Sequence, residues 1–146
     1  MFEIKRLRPD EWATLSEDAH LAMFSERRPG YIDRIDFALL ATEDDNRGIV
    51  GYVTVRELDA DGIYWQYGGA FPSIKTSTTV LGVYRQFVEY CKARYKRITT
   101  LVENTNIAYL KLAMKVGFRI IGVRVFKGSV LVELLLDFEV NDALPI

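Results

Sequence analysis

Three groups of residues in this chain have types and spacings suited to holding an anion or handling a proton. Asn106 and Gly117 bracket a run with helical spacing. An Asn side chain at a helix start accepts bonds from the open N–H groups of the first turn. A Gly at the end supplies the positive φ that commonly stops a helix. The second group is Gly68-Gly69, at the end of a strand-like run. Paired glycines there indicate a bulge, a close approach by another backbone or a ligand, or a plain turn. The third is Lys75-Thr76-Ser77-Thr78-Thr79, which leads into helical spacing at Val80. It offers a cation and hydroxyl donors for phosphate oxygens, or simply a cap from Ser77 or Thr78. His20 is the only histidine, so neither a catalytic triad nor a histidine metal site is expected. Cys91 lies on the apolar face of a helix and reads as a core thiol.

The elements that must position these groups follow from periodicity. Phe2 to Leu7 alternates as a first strand, and Pro9-Asp10-Glu11 opens a helix with Trp12, Leu15, Ala19 and Ala22 on one face. Arg27-Arg28-Pro29-Gly30 marks a loop. Phe37 to Thr42, Ile49 to Leu58 and Ile63 to Ala70 read as an antiparallel meander. Strand alternation sends Trp65 and Tyr67 to one face and Tyr64 to the other. Ser77 to Tyr95 is the clearest helix, with Val80, Tyr84, Phe87, Val88, Cys91 and Tyr95 at the steps of a face packed on a sheet. Lys92, Arg94, Lys96 and Arg97 at its end complement the helix dipole. Ile98 to Val102, Phe118 to Val125 and Ser129 to Phe138 are further strands. The order is β-α-βββ-α-β-α-ββ. It predicts an α/β (α+β) fold with a mixed, mostly antiparallel sheet of about seven strands flanked by helices.

Length and composition fit a single domain over residues 1–146. Hydrophobic residues make up 49% of the 146, enough to furnish one core. A net charge of −1 supplies no overall field for nucleic acid or an anionic membrane. No apolar run approaches the roughly 18 residues needed to span a bilayer. The N-terminus lacks the apolar core of a signal peptide, and one cysteine allows no internal disulfide, so a cytoplasmic setting is expected.

The pattern V-x-x-x-N, five residues, L-x-x-K-x-G-F over Val102 to Phe118 resembles the coenzyme-binding half of the GNAT N-acetyltransferase superfamily. The element order extends that resemblance over nearly the whole chain. The resemblance implies transfer of an acetyl group from acetyl-CoA to an amine by direct attack. The acceptor would be a small molecule or a protein amine, and the final strand pair would meet a second copy in a homodimer. In the family, the strand carrying the paired glycines is splayed from its parallel neighbour and the acyl-pantetheine arm lies between them, so Gly69, Ala70 and Phe71 would line it. Lys75, Thr76, Ser77, Thr78, Thr79 and Val80 would take the pyrophosphate, and Asn106 the pantetheine or phosphate region. Here Thr76, Thr78 and Val80 stand where the family favours glycine or another small residue.

Acetyl transfer needs a proton for the departing thiolate. Many GNAT enzymes supply it from a tyrosine whose matching position here is Ala113. Tyr109 lies one turn earlier on the same helical face and is the candidate acid. Glu57, near the end of the third strand, is the candidate base, and Tyr64, Trp65 and Tyr67 are candidates for an acceptor pocket. The loop substitutions and Ala113 also keep a second expectation open: a GNAT-like fold that has lost catalysis and serves binding or interaction.

Overall fold

The computed structural model describes residues 2–15, 34–43, 49–70 and 77–139. In chain order the elements are β1 (Phe2–Leu7), α1 over residues 9–15, β2 (Phe37–Glu43), β3 (Ile49–Glu57), β4 (Gly62–Ala70), α2 (Ser77–Lys92), β5 (Arg97–Glu103), α3 (Ile107–Lys115), β6 (Arg119–Phe126) and β7 (Ser129–Asp137). This is the order read from periodicity. Ala19, His20, Ala22 and the Arg27 to Gly30 loop lie outside the described residues.

The strands form one seven-stranded sheet in the order β1-β2-β3-β4-β5-β7-β6. Every neighbouring pair is antiparallel except β4 and β5. A parallel pair needs a long crossover, and α2 lies within it. Alternation along β2 shows the two layers. Phe37, Leu39 and Ala41 join the main core, while Ala38 and Leu40 join a smaller cluster on the other face. The main core takes Val83, Tyr84, Phe87, Val88 and Cys91 from α2 and Ala113 from α3. The smaller cluster holds Trp12 of α1, its ring 4.5 Å from that of Tyr52. Thus α2 and α3 cover one face of the sheet and α1 covers part of the other.

One boundary differs from the sequence reading. Apolar spacing carries α2 to Tyr95, but the helix ends at Lys92. The N–H groups of Arg94 and Tyr95 both close on the Cys91 carbonyl, at 3.0 and 2.8 Å, which tightens the chain into the turn before β5. Among the described residues, no helix is long and apolar enough to cross a membrane.

Candidate functional site

The site begins with one extra residue. Across the β3–β4 pair, Val55 faces Trp65 and Thr54 faces Tyr67, so Gln66 is bulged out of register. The parallel β4–β5 ladder runs from Gly62 opposite Arg97 to Trp65 opposite Thr100 and stops there, at the bulge. Beyond it β4 stays with β3 as far as Ala70 opposite Gly51, and β5 stays with β7 as far as Glu103 opposite Leu131. A bulge bends its strand and raises the local twist, so the two arms fork. At the fork, the Thr100 hydroxyl donates to the Trp65 carbonyl at 3.0 Å, giving that buried oxygen a partner where the ladder ends.

The fork encloses a cleft of about 380 Å³. Trp65, Gln66 and Gly68 line it from β4, Thr100 to Glu103 from β5, and Asn106 and Tyr109 from α3, with Val53 and Leu131 behind the arms. Glu103 is the one charged residue among these lining residues. Past Trp65, no strand among the described residues pairs with the inner edge of β4. Its backbone donors and acceptors can take an extended, amide-bearing ligand as an added strand would be taken.

Helix α3 is fixed at both ends. The Asn106 side-chain oxygen accepts from the Tyr109 N–H at 3.2 Å. At the other end the Gly117 N–H bonds the Met114 carbonyl at 3.2 Å and the Phe118 N–H bonds the Ala113 carbonyl at 3.0 Å, with Gly117 at φ 112°. That double closure requires the left-handed residue that glycine provides. Asn106 therefore sets the first turn that carries Tyr109, and its own amide N–H₂ is a donor at the cleft. Asn106→Ala is expected to lower unfolding stability by about 1 kcal/mol, the usual cost of losing such a cap. A urea melt with unchanged slope checks it.

Tyr109 lies partly buried in the cleft wall, its ring edge-on to Tyr84 with centroids 5.6 Å apart and planes at 88°. Burial pushes the Tyr109 phenol up to about 12, while its hydrogen bond with the Tyr84 side chain pulls the other way. Burial also raises Tyr84 well above the ordinary phenol range, and the neighbouring Tyr109 adds to that. Both phenols keep their protons through the neutral range. Trp65 backs the cleft, packed against Tyr84 at 6.2 Å and Phe118 at 5.6 Å. Cys91 is buried beneath, its thiol pushed up to about 12 chiefly by burial, as suits a core residue.

The residues singled out by sequence fall unevenly. Asn106 and Tyr109 meet at the cleft. Gly69 and Ala70 are on the β4 arm, opposite Tyr52 and Gly51. Phe71, Lys75 and Thr76 lie outside the described residues. Ser77, Thr78 and Thr79 form the first turn of α2. Val80 is partly buried against the main core. Glu57 is not brought to the cleft. It pairs with Ile63, at the far end of β4 from Gly68 and on the order of 17 Å along the strand. There it accepts from the Tyr95 hydroxyl at 3.2 Å and lies 3.6 Å from Arg6, as a partly exposed polar contact. Simple alternation also fails at the bulge. Gln66 shifts the phase, so Gly68, opposite Val53 of the main core, is the next β4 position on the Trp65 face. Sequence reasoning took Tyr84 as packing only and passed over Thr100 and Glu103. The available signal for Tyr84 was a hydroxyl on an otherwise apolar helix face.

No protein-family model matches the chain, and no curated protein matches it by sequence. Solved structures do match its shape. The ribosomal-protein-S18-alanine N-acetyltransferase from Escherichia coli superposes with a TM-score of 0.74 at 11% identity, over 94% of each chain. A GNAT family acetyltransferase from Elizabethkingia anophelis with acetyl-CoA bound gives 0.72 at 15% identity, over 93% of this chain and 97% of that one. The IAA acetyltransferase from Bacillus cereus ATCC 14579 gives 0.70 at 14% identity, over 94% and 99%. At such identities the likeness is one of fold.

Proposed function

The chain carries the GNAT fold, and from that premise we propose that it is an N-acyltransferase that moves an acetyl group from acetyl-CoA to an amine. The observation that supports this reading most is the forked β4–β5 cleft with the Tyr109 phenol in its wall. In this reading the pantetheine arm pairs with the free inner edge of β4 through Gly69, Ala70 and Phe71. The pyrophosphate meets the segment from Lys75 through Thr76, Ser77, Thr78 and Thr79 to Val80, at the start of α2, where hydroxyls take the place of glycine N–H contacts. Asn106 donates to the pantetheine. The amine attacks the thioester carbonyl, the C–S bond breaks, and the departing sulfur takes the Tyr109 proton. Because Glu57 is remote, water removes the proton from the attacking nitrogen. Glu103 in the cleft lining favours an amine over an anionic acceptor, whether a small molecule or a protein amine.

Thermal melting with and without acetyl-CoA tests the reading. At a hundredfold excess over Kd the expected stabilisation is about 2.7 kcal/mol, a rise on the order of 10 °C for a domain of this size. Lys75→Glu is expected to abolish the rise. An unchanged rise in that variant would remove Lys75 from the site, and no rise at any acetyl-CoA concentration would overturn the coenzyme reading.

A second reading rests on Ala113. It occupies the position of the family's usual acid, and it is buried at 4% exposure without a hydroxyl. A fold kept for binding alone would show a thermal rise or a protein partner but no turnover of any amine.

A further inference from the structure

We propose that Tyr84 is a positioning residue for Tyr109: its hydroxyl donates to the Tyr109 oxygen and so turns the Tyr109 proton toward the cleft. The inference deepens the acetyl-transfer reading, and rests on it for the use to which that proton is put. The pairing of the two phenols stands on separate observations.

The first is the composition of the wall. Tyr84 is 3% exposed, and its companions on the core face of α2 are Val83, Phe87, Val88 and Cys91. A phenylalanine at 84 would fill nearly the same volume without a polar atom to satisfy. A buried hydroxyl is costly unless it is bonded, and the side chain in hydrogen-bonding contact with Tyr84 is that of Tyr109. The second is geometry. The edge-on contact with Tyr109, at 5.6 Å and 88°, brings the two side chains together across the α2–α3 junction. The third is the space made for the Tyr84 oxygen. It lies 3.4 Å from where a side chain on residue 68 would begin, so the glycine there lets the hydroxyl approach the β4 arm beside the cleft.

These facts constrain where protons point. A phenol O–H prefers the plane of its ring, which leaves two directions for the Tyr109 proton. An incoming donor from Tyr84 occupies the oxygen on one side, and the proton takes the other. When the departing sulfur accepts that proton, Tyr109 becomes a tyrosinate. The Tyr84 O–H then donates to a full negative charge, a stronger bond than the neutral one, until water returns a proton to Tyr109. The contact is thus tighter in the state with developing charge than in the resting state, which is the condition for lowering a barrier.

The experiment uses the intact chain, with and without Tyr84→Phe. Two quantities are read. One is the steady-state rate with acetyl-CoA and an amine acceptor found by screening. The other is the absorbance titration of a fluorinated tyrosine placed genetically at position 109, whose phenol ionises within an accessible pH range and whose signal needs no activity. Tyr84→Phe is expected to lower kcat by roughly tenfold to a hundredfold, the effect of one hydrogen bond to a charged group, with the KM for acetyl-CoA unchanged. The fluorotyrosine at 109 is expected to ionise at higher pH in the Tyr84→Phe background, because its anion has lost a donor. A packing role alone moves neither. If the titration shifts but the unmodified protein turns over no amine, the pairing stands and the acetyl-transfer reading falls. If the titration does not move, or kcat survives Tyr84→Phe while Tyr109→Phe abolishes it, the proposal is overturned.

Discussion

Tyr109→Phe is expected to lower kcat for acetyl transfer about a hundredfold or more, within the range of a positioned general acid, while the acetyl-CoA-induced rise in melting temperature stays intact. The two readouts separate because the hydroxyl is asked to act on the departing sulfur and not on the bound coenzyme. An interaction made only as charge develops lowers kcat and kcat/KM equally when it is removed. The phenol carries the proton the task requires. Burial holds it near 12, so it is protonated at every working pH. The sign follows from that. A raised phenol stays neutral until the pH approaches its own value, so the pH–rate profile of the native protein is expected to show no alkaline fall from Tyr109 below about pH 11. Rates in Tyr109→Phe within threefold of the native protein would remove the residue from the chemistry. The site would then have to supply the thiolate proton from water.

The fold was legible in this chain because its signals are local and repeat. Strand alternation from Phe2 to Leu7, the apolar face from Val80 to Cys91, and the Asn106 and Gly117 stops each report one element. The order of those elements limits the sheet to few arrangements. The site was less legible because it depends on one residue out of register. Gln66 is an ordinary strand residue by type, and the paired glycines after it signal a bulge without marking which residue is the extra one. Once it is bulged, the phase of β4 shifts and the fork opens. Glu57 illustrates the reverse error. It has the right chemistry for a base, but β3 runs antiparallel to β4 and carries its last residue away from the fork. Tyr84 was visible only as packing, since its partner comes from another helix and their meeting is a tertiary fact.

Gly68→Val is expected to abolish the acetyl-CoA response and to destabilise the fold by roughly 1–3 kcal/mol, the usual cost of forcing extra volume into a packed site. A Cβ at this position would lie 2.8 Å from the Tyr52 carbonyl oxygen and 3.5 Å from the Val53 Cα. Both belong to the β3 backbone, which is held between β2 and β4, with Leu40 and Gly69 on either side of Tyr52. The backbone of β3 has no room to retreat, and the third neighbour, the Tyr84 hydroxyl at 3.4 Å, is fixed in the core. The strain is therefore relieved by moving the β4 arm toward β5, which narrows the fork from within. That motion closes the edge on which the coenzyme reading depends. Gly82→Ala is the matched control. It lies inside α2 with nothing within 4 Å of the added carbon, so it is expected to raise stability by about 0.5–1 kcal/mol through helix propensity and to leave the acetyl-CoA response unchanged. A Gly68→Val protein that folds and still shows the full acetyl-CoA shift would mean that the coenzyme does not use the β4 arm, and the fork would lose its claim to be the site.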